Sequence, residues 1–140
     1  MAKFESTIRE INYPQQNVYN LLSDLSNIEK IKDRLPEDKI KDLTFDENSI
    51  SISSPMGAVK LNIIEREEPT SIKFETEQSP LAFNLWIQIL PVDENSCKMK
   101  LTIKAELNPF IKGMVSKPLQ DGLEKVADLL QMIKYKSWML

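Results

Sequence analysis

The chain has 140 residues, 41% of them apolar and 28% charged, which is ordinary globular composition for one domain spanning residues 1–140. Its 18 basic and 21 acidic side chains leave a net charge of −3, so there is no basic excess for phosphates and nucleic acid is not an expected partner. The sequence contains no His and a single Cys, Cys97, which excludes a His-dependent triad, a His-ligated metal and an internal disulfide.

Residues 3–13 open the chain with alternation. Phe4, Ser6 and Ile8 share one side and Glu5, Thr7 and Arg9 the other, as in a half-buried strand. Pro14 ends it and suits the first turn of a helix, along which Val18, Leu21, Leu22 and Leu25 recur at helical spacing. Ser26-Asn27-Ile28-Glu29 has the form of a capping box and predicts a second short helix with Ile28, Ile31 and Leu35 buried, ended by Pro36. From residue 39 to 107 the period becomes two. The inward positions are Leu43 and Phe45, Ile50 and Ile52, then Val59, Leu61 and Ile63, followed by Ile72, Phe74 and Thr76. Phe83, Leu85, Ile87 and Ile89 make a fifth strand, and Cys97, Met99, Leu101, Ile103, Ala105 and Leu107 a sixth. The turns between them, such as Pro55-Met56-Gly57, Ser79-Pro80 and Asp93-Glu94-Asn95, are too short for parallel crossovers and predict an antiparallel meander.

The last element is long. Asn108 is a good N-cap, Pro109 suits the first helical position, and Leu119, Leu123, Val126, Leu130 and Ile133 recur three and four apart. They predict an amphipathic helix of roughly 25 residues, about 38 Å long. Gly113 and Pro118 in its first half predict a bend, because Pro118 cannot donate to the carbonyl of Met114.

One strand, two short helices, six strands and a long helix give an α+β chain whose sheet is apolar on one face. Only the long helix can cover that face, and a twisted sheet of seven strands curls around it. Setting the first strand against the last with Lys3 opposite Glu106, Glu5 opposite Lys104 and Thr7 opposite Thr102 gives favourable pairs, with Arg9 near Lys100 as the exception. This layout resembles the helix-grip fold of the START-like superfamily (SRPBCC), which includes polyketide cyclases, START lipid-transfer domains and the birch-pollen allergen. The resemblance is carried by Tyr13-Pro14-Gln15-Gln16-Asn17-Val18-Tyr19-Asn20-Leu21-Leu22-Ser23-Asp24-Leu25, by Pro36, and by residues 107–130 opening with Leu107-Asn108-Pro109. It implies a cavity between sheet and long helix, used by many relatives for a hydrophobic small molecule or lipid.

The residues expected to line such a cavity are Phe74, Thr76, Phe83, Leu85, Ile87, Met99, Leu101 and Ile103 on the sheet, with Met114, Leu119 and Leu123 on the helix. Each would serve equally in a packed core. Ser6, Thr76 and Gln78 are the inner-face groups able to anchor a polar end of a ligand, or to return a hydrogen bond to their own backbone. Glu65, Glu67 and Glu68, the turn pair Asp93 and Glu94, and outward Glu75 and Glu77 read as solvated carboxylates. Cys97 reads as a small buried hydrophobe with no His to activate it. No catalytic residue, metal or cofactor is therefore expected. Trp86 has outward parity and is the candidate contact for a homodimer through the outer sheet face.

Met1-Ala2-Lys3-Phe4-Glu5 has no basic region ahead of an apolar run, and the most apolar stretch, residues 85–90, is far below the ~18 residues of a membrane span. A cytoplasmic protein without an integral membrane segment is expected. Its expected function is non-catalytic binding or transport of a hydrophobic small molecule or lipid. The alternatives are a cyclase- or aromatase-like enzyme that acts by enclosing its substrate, and a protein-interaction module.

Overall fold

The computed structural model describes residues 1–31, 44–54 and 57–136. The expectations for Leu35, Pro36, Leu43 and Pro55-Met56 lie outside those residues, as do the side chains of Ile31, Ile52 and Gln78.

Alternating stretches form strands: β1 (Ala2–Glu5), β2 (Arg9–Ile11), β3 (Thr44–Phe45), β4 (Ser49–Ser54), β5 (Gly57–Glu67), β6 (Ser71–Gln78), β7 (Asn84–Asp93) and β8 (Ser96–Ala105). They form one sheet in the order β1-β8-β7-β6-β5-β4-β3, with β2 also pairing β8. Every pairing is antiparallel. The helices are α1 (Gln15–Leu22), a 3-10 turn (Leu25–Asn27) running into α2 (Ile28–Ile31), and α3 (Pro109–Met132). Among the described residues α3 packs across β1, β2 and β8, and α1 against β7 and β8. This is the expected α+β helix-grip, with eight strands in place of the expected seven, because the first strand is split in two.

The split has a local cause. Phe4 lies opposite Ile103, but Arg9 lies opposite Met99, so the first strand carries one extra residue between β1 and β2. Buried Ser6 occupies that irregularity. Its hydroxyl donates to the Thr7 carbonyl at 2.9 Å and accepts from the Leu101 amide at 2.9 Å, while its own amide donates to the Leu101 carbonyl. The extra residue reverses the side-chain parity. Ile8, expected to face inward, is 63% exposed, while Ile11 is buried at 2%. The β1 register differs from the charge-matched one: Lys3 lies opposite Lys104 and Glu5 opposite Thr102. A diagonal pair and a pair along β1 replace the direct ones. Glu5 lies 3.2 Å from Lys3 and 2.5 Å from Lys100, and these two hydrogen-bonded cations, Lys100 first, hold its carboxyl below the usual range.

Caps and turns follow from side chains that reach back to the backbone. Asn108 accepts from the Ile111 amide at 2.8 Å, and Pro109 takes the first position of α3, as expected. The second short helix starts differently: Asp24 rather than Ser26 supplies the cap, accepting from the Ser26 amide at 3.0 Å and its hydroxyl at 2.6 Å. A carboxylate accepts both bonds, which strengthens them over those a serine would make. Asp46 and Asp93 close the β3–β4 and β7–β8 turns in the same manner, through amides two residues on at 2.9 Å and 2.8 Å.

The core lies between the inner sheet face and the second half of α3. Ile72, Ile89 and Leu101 are fully buried, and they belong to one apolar cluster with Leu119, Leu123 and Ala127 of the helix. Burying one such aliphatic side chain contributes about 1.5–3 kcal/mol relative to leaving it exposed.

Candidate functional site

Three connections gather at one end of the sheet. Gly57 opens β5 there with φ at +120°, and a Cβ on it would come within 3.1 Å of the Pro80 ring in the β6–β7 connection. Asn84 at the start of β7 pairs with Lys104 near the end of β8, from which α3 departs. At this end apolar side chains are left half-open. Leu81, Phe83, Leu107 and Val115 are only partly buried, yet all pack on the main apolar cluster.

Along the inward line of α3 burial rises from half-buried Ile111 and Val115 to Leu119 at 5% and Leu123 at 3% exposure, while Phe110 at 75%, Met114 at 62% and Met132 at 57% are exposed. The helix seals the sheet from Leu119 onward and leaves its first turns standing away. Met114 is therefore corrected: it faces outward with Phe110. The in-phase neighbours of Leu119 at four-residue steps are Val115 and Ile111, and Met114 lies about 100° off that line. Gln15 of α1 bonds the Ile89 carbonyl at 2.9 Å, near the far end of β7, so α1 sits at the opposite end.

The other expected lining residues face inward. Phe74, Leu85, Ile87, Met99, Leu101 and Ile103 are all buried on the inner face. Phe83 precedes β7 instead of lying within it and is half-buried. Its amide donates to the Thr76 hydroxyl at 3.2 Å, and its carbonyl accepts from the Thr76 amide at 3.2 Å. Thr76 and Ser6 thus spend acceptor capacity on the backbone.

The carboxylates expected to be solvated are so. Glu65, Glu67, Glu68, Glu75, Glu77, Asp93 and Glu94 are all exposed. Cys97 is 1% exposed, and burial pushes its thiol up to about 11, which removes it as a nucleophile at neutral pH. Trp86 lies on the outer face, with the Lys73 ammonium 5.1 Å and the Lys104 ammonium 5.4 Å from its ring centroid. Those contacts relieve the Lys3–Lys104 juxtaposition by giving Lys104 an electron-rich partner. Among the described residues no group of His, Cys, Asp and Glu suits a metal ion, and no helix is long and apolar enough to cross a membrane.

Two features escaped the sequence. A polar cleft of about 600 Å³ lies between the α1–α2 region and the end of β5, lined by Tyr19, Asn20, Ser23, Lys30, Arg66 and Glu68 among others. Its groups are largely committed to one another: Arg66 bonds the Ser23 carbonyl and Asn48 at 2.8 Å each, and Glu68 accepts from Gln16 at 2.9 Å. Burial, then the Glu68 charge, raises the Tyr19 phenol and keeps it protonated. The second is a clamp on α3. Arg9 meets Glu124 at 2.6 Å and Asp128 at 2.5 Å, and Glu124 also accepts from the Thr7 amide at 2.6 Å. The parity change at Ser6 turns Arg9 toward the helix and away from Lys100.

No family model matches the sequence, and no curated protein does. Solved structures do. Norcoclaurine synthase from Thalictrum flavum, in complex with dopamine and hydroxybenzaldehyde, superposes with a TM-score of 0.71 over 93% of this chain and 84% of its own, at 16% identity. A START superfamily protein from Mycobacterium smegmatis matches with a TM-score of 0.54 over 89% and 98% of the two chains, at 10% identity. The fold is START-like. An HSP90 activator from Plasmodium falciparum shares this START-like fold at a TM-score of 0.59 and 18% identity, covering 89% of each chain. All three likenesses are of fold.

Proposed function

We propose that this START-like chain binds a hydrophobic small molecule or lipid, without catalysis, between the inner sheet face and the first half of α3. The observation that carries the reading is the half-open apolar end. Leu81, Phe83, Leu107 and Val115 continue the core outward, while α3 seals only from Leu119. An apolar guest entering there would extend an existing apolar surface and lose water at both. Phe74, Leu85 and Ile103 line its inner wall, and Thr76 stands at the rim as a polar contact. The chemistry of the inner face supports carriage over reaction. Cys97 is held as a thiol, and the phenol of Tyr135 is pushed up by burial and donates to the Leu130 carbonyl at 2.6 Å. That a neighbour of the same fold was solved in complex with two small aromatic molecules supports small-molecule binding by this fold.

Val115→Trp tests the reading. Val115 is half-buried, so added bulk is accommodated toward solvent and the melting temperature should hold. The indole should occupy the entrance, and affinity for the fluorescent probe 8-anilinonaphthalene-1-sulfonate should fall about tenfold. Equal probe binding by variant and parent would remove the entrance from this end.

A further inference from the structure

The inner wall at the half-open end is uncharged. Val59, Leu61, Phe74, Leu85 and Ile103 are buried there. The Thr76 hydroxyl on the same face already accepts from the Phe83 amide at 3.2 Å. A charged group carried inside by a guest would find no partner, and burying it unpaired is far too costly for the apolar body to offset. Any such group stays at the mouth. The start of α3 places a cation there. Lys112 lies two turns before Leu119 and about 20° from its line, on the side of Val115 and away from Phe110 and Met114. Leu119 on that line is sealed against the sheet, whereas Lys112 is exposed, because the first turns stand away. A lysine so placed lays its stem along apolar surface and keeps its ammonium at the water boundary. Among the described residues that ammonium has no ion-pair or hydrogen-bond partner. No acidic residue occurs between Glu106 and Asp121 to compete for it. Neighbouring sheet cations are engaged on the outer face: Lys60 with Glu77 at 3.1 Å, Lys3 with Glu5 at 3.2 Å, and Lys104 over the Trp86 ring at 5.4 Å.

We propose, on the reading of this end as a binding chamber, that the guest is a monoanionic amphiphile: an apolar body bearing one carboxylate. The body lies against the inner wall and the carboxylate meets the Lys112 ammonium at the mouth. Lys112 then selects by charge. It donates charge-assisted hydrogen bonds to a carboxylate, gains nothing from an ester or alcohol of the same shape, and repels an amine. The uncharged wall fixes the orientation, since the reversed pose would bury the carboxylate without a partner.

A matched pair of fluorescent probes, dansylaminoundecanoic acid and its methyl ester, separates the outcomes in titrations at neutral pH. The parent should bind the acid about fivefold more tightly than the ester, as a rim ion pair of about 1 kcal/mol allows, and added salt should weaken the acid alone. Lys112→Met should bring the acid down to the affinity of the ester and leave the ester unchanged. Lys112→Glu should bind the acid more weakly than the ester, and Lys112→Arg should keep the preference. Because Lys112 is exposed, all three variants should melt with the parent. Val115→Trp should weaken acid and ester together. Acid and ester bound equally by the parent, or a preference that survives Lys112→Met, would overturn the proposal and leave the chamber standing. A parent that takes up neither probe would overturn the chamber and the proposal with it.

Discussion

Tyr135→Ala should cost about 3–5 kcal/mol, the range for removing a large buried aromatic ring, and lower the melting temperature by roughly 10–20 °C. Tyr135 is fully buried just beyond the end of α3. Its ring meets Tyr13 edge-on at 6.2 Å, its hydroxyl donates to the Leu130 carbonyl at 2.6 Å, and its carbonyl accepts from Asn17 at 2.9 Å. One residue therefore ties the end of α3 to α1 and to the chain entering α1. Tyr135→Phe keeps the ring and strips only the hydrogen bond, so it should lose about 1–2 kcal/mol. Thermal melts by circular dichroism of both variants provide the check. An alanine variant within about 1 kcal/mol of the parent would show that the tail does not hold the helix.

Arg9→Met should remove about 2 kcal/mol by leaving Glu124 without its main charged partner. The Arg9 side chain is 12% exposed and Glu124 28%, so this pair is partly shielded, while Asp128 at 58% is screened and contributes little. Burial alone would raise the Glu124 carboxyl, but the bonds from Arg9 and Thr7 outweigh it and hold the carboxyl below its ordinary value. A depressed carboxylate contributes stability that is fully present above its unfolded value of about 4.3 and is lost as pH falls through the folded value. The Arg9 guanidinium, raised by Asp128 and then Glu124, stays charged at every accessible pH and adds no slope of its own. Glu5, Glu77, Asp46 and Asp93 are also depressed and add to the same acid loss. Denaturant midpoints measured from pH 7 down to pH 3 should fall for both the parent and the variant. The gap between the two should narrow toward the acid end, because a protonated Glu124 loses its charge attraction to the Arg9 guanidinium, which keeps only its bonds to Thr7, Gln131 and the Glu124 carbonyl. A gap independent of pH would contradict the clamp.

The strands are legible because one face of the sheet packs and the other is wetted, so alternation survives in Ile72-Lys73-Phe74-Glu75 and in Cys97-Lys98-Met99-Lys100. The long helix is legible for the same reason, with Asn108 and Pro109 marking its start. The β1 register is not. Charge matching treats each cross-strand pair alone, whereas Glu5 meets Lys100 diagonally and Lys3 along its own strand, and Ser6 inserts a backbone-satisfying irregularity that no periodicity announces. The expectation for Arg9 fails as a consequence, since one extra residue moves every later side chain to the other face. Tyr135 is invisible in the sequence because it sits between Lys134 and Lys136, past the last turn of a helix, where its burial depends wholly on α1 arriving from the other end of the chain. In the site, the sheet wall is readable and the helix wall less so. Met114 has the adaptability of a lining residue, but Val115 carries the phase set by Leu119 and Leu123.

The central claim is that the half-open apolar end accepts a guest. Native mass spectrometry of the purified protein, before and after organic extraction, tests it most directly. The expected result is one bound apolar molecule per chain that extraction removes, and stoichiometric reuptake of a hydrophobic probe by the extracted protein, weakened in Val115→Trp. A chain that appears only at its own mass and takes up no probe would contradict the claim, leaving Leu81, Phe83, Leu107 and Val115 as the edge of an ordinary core.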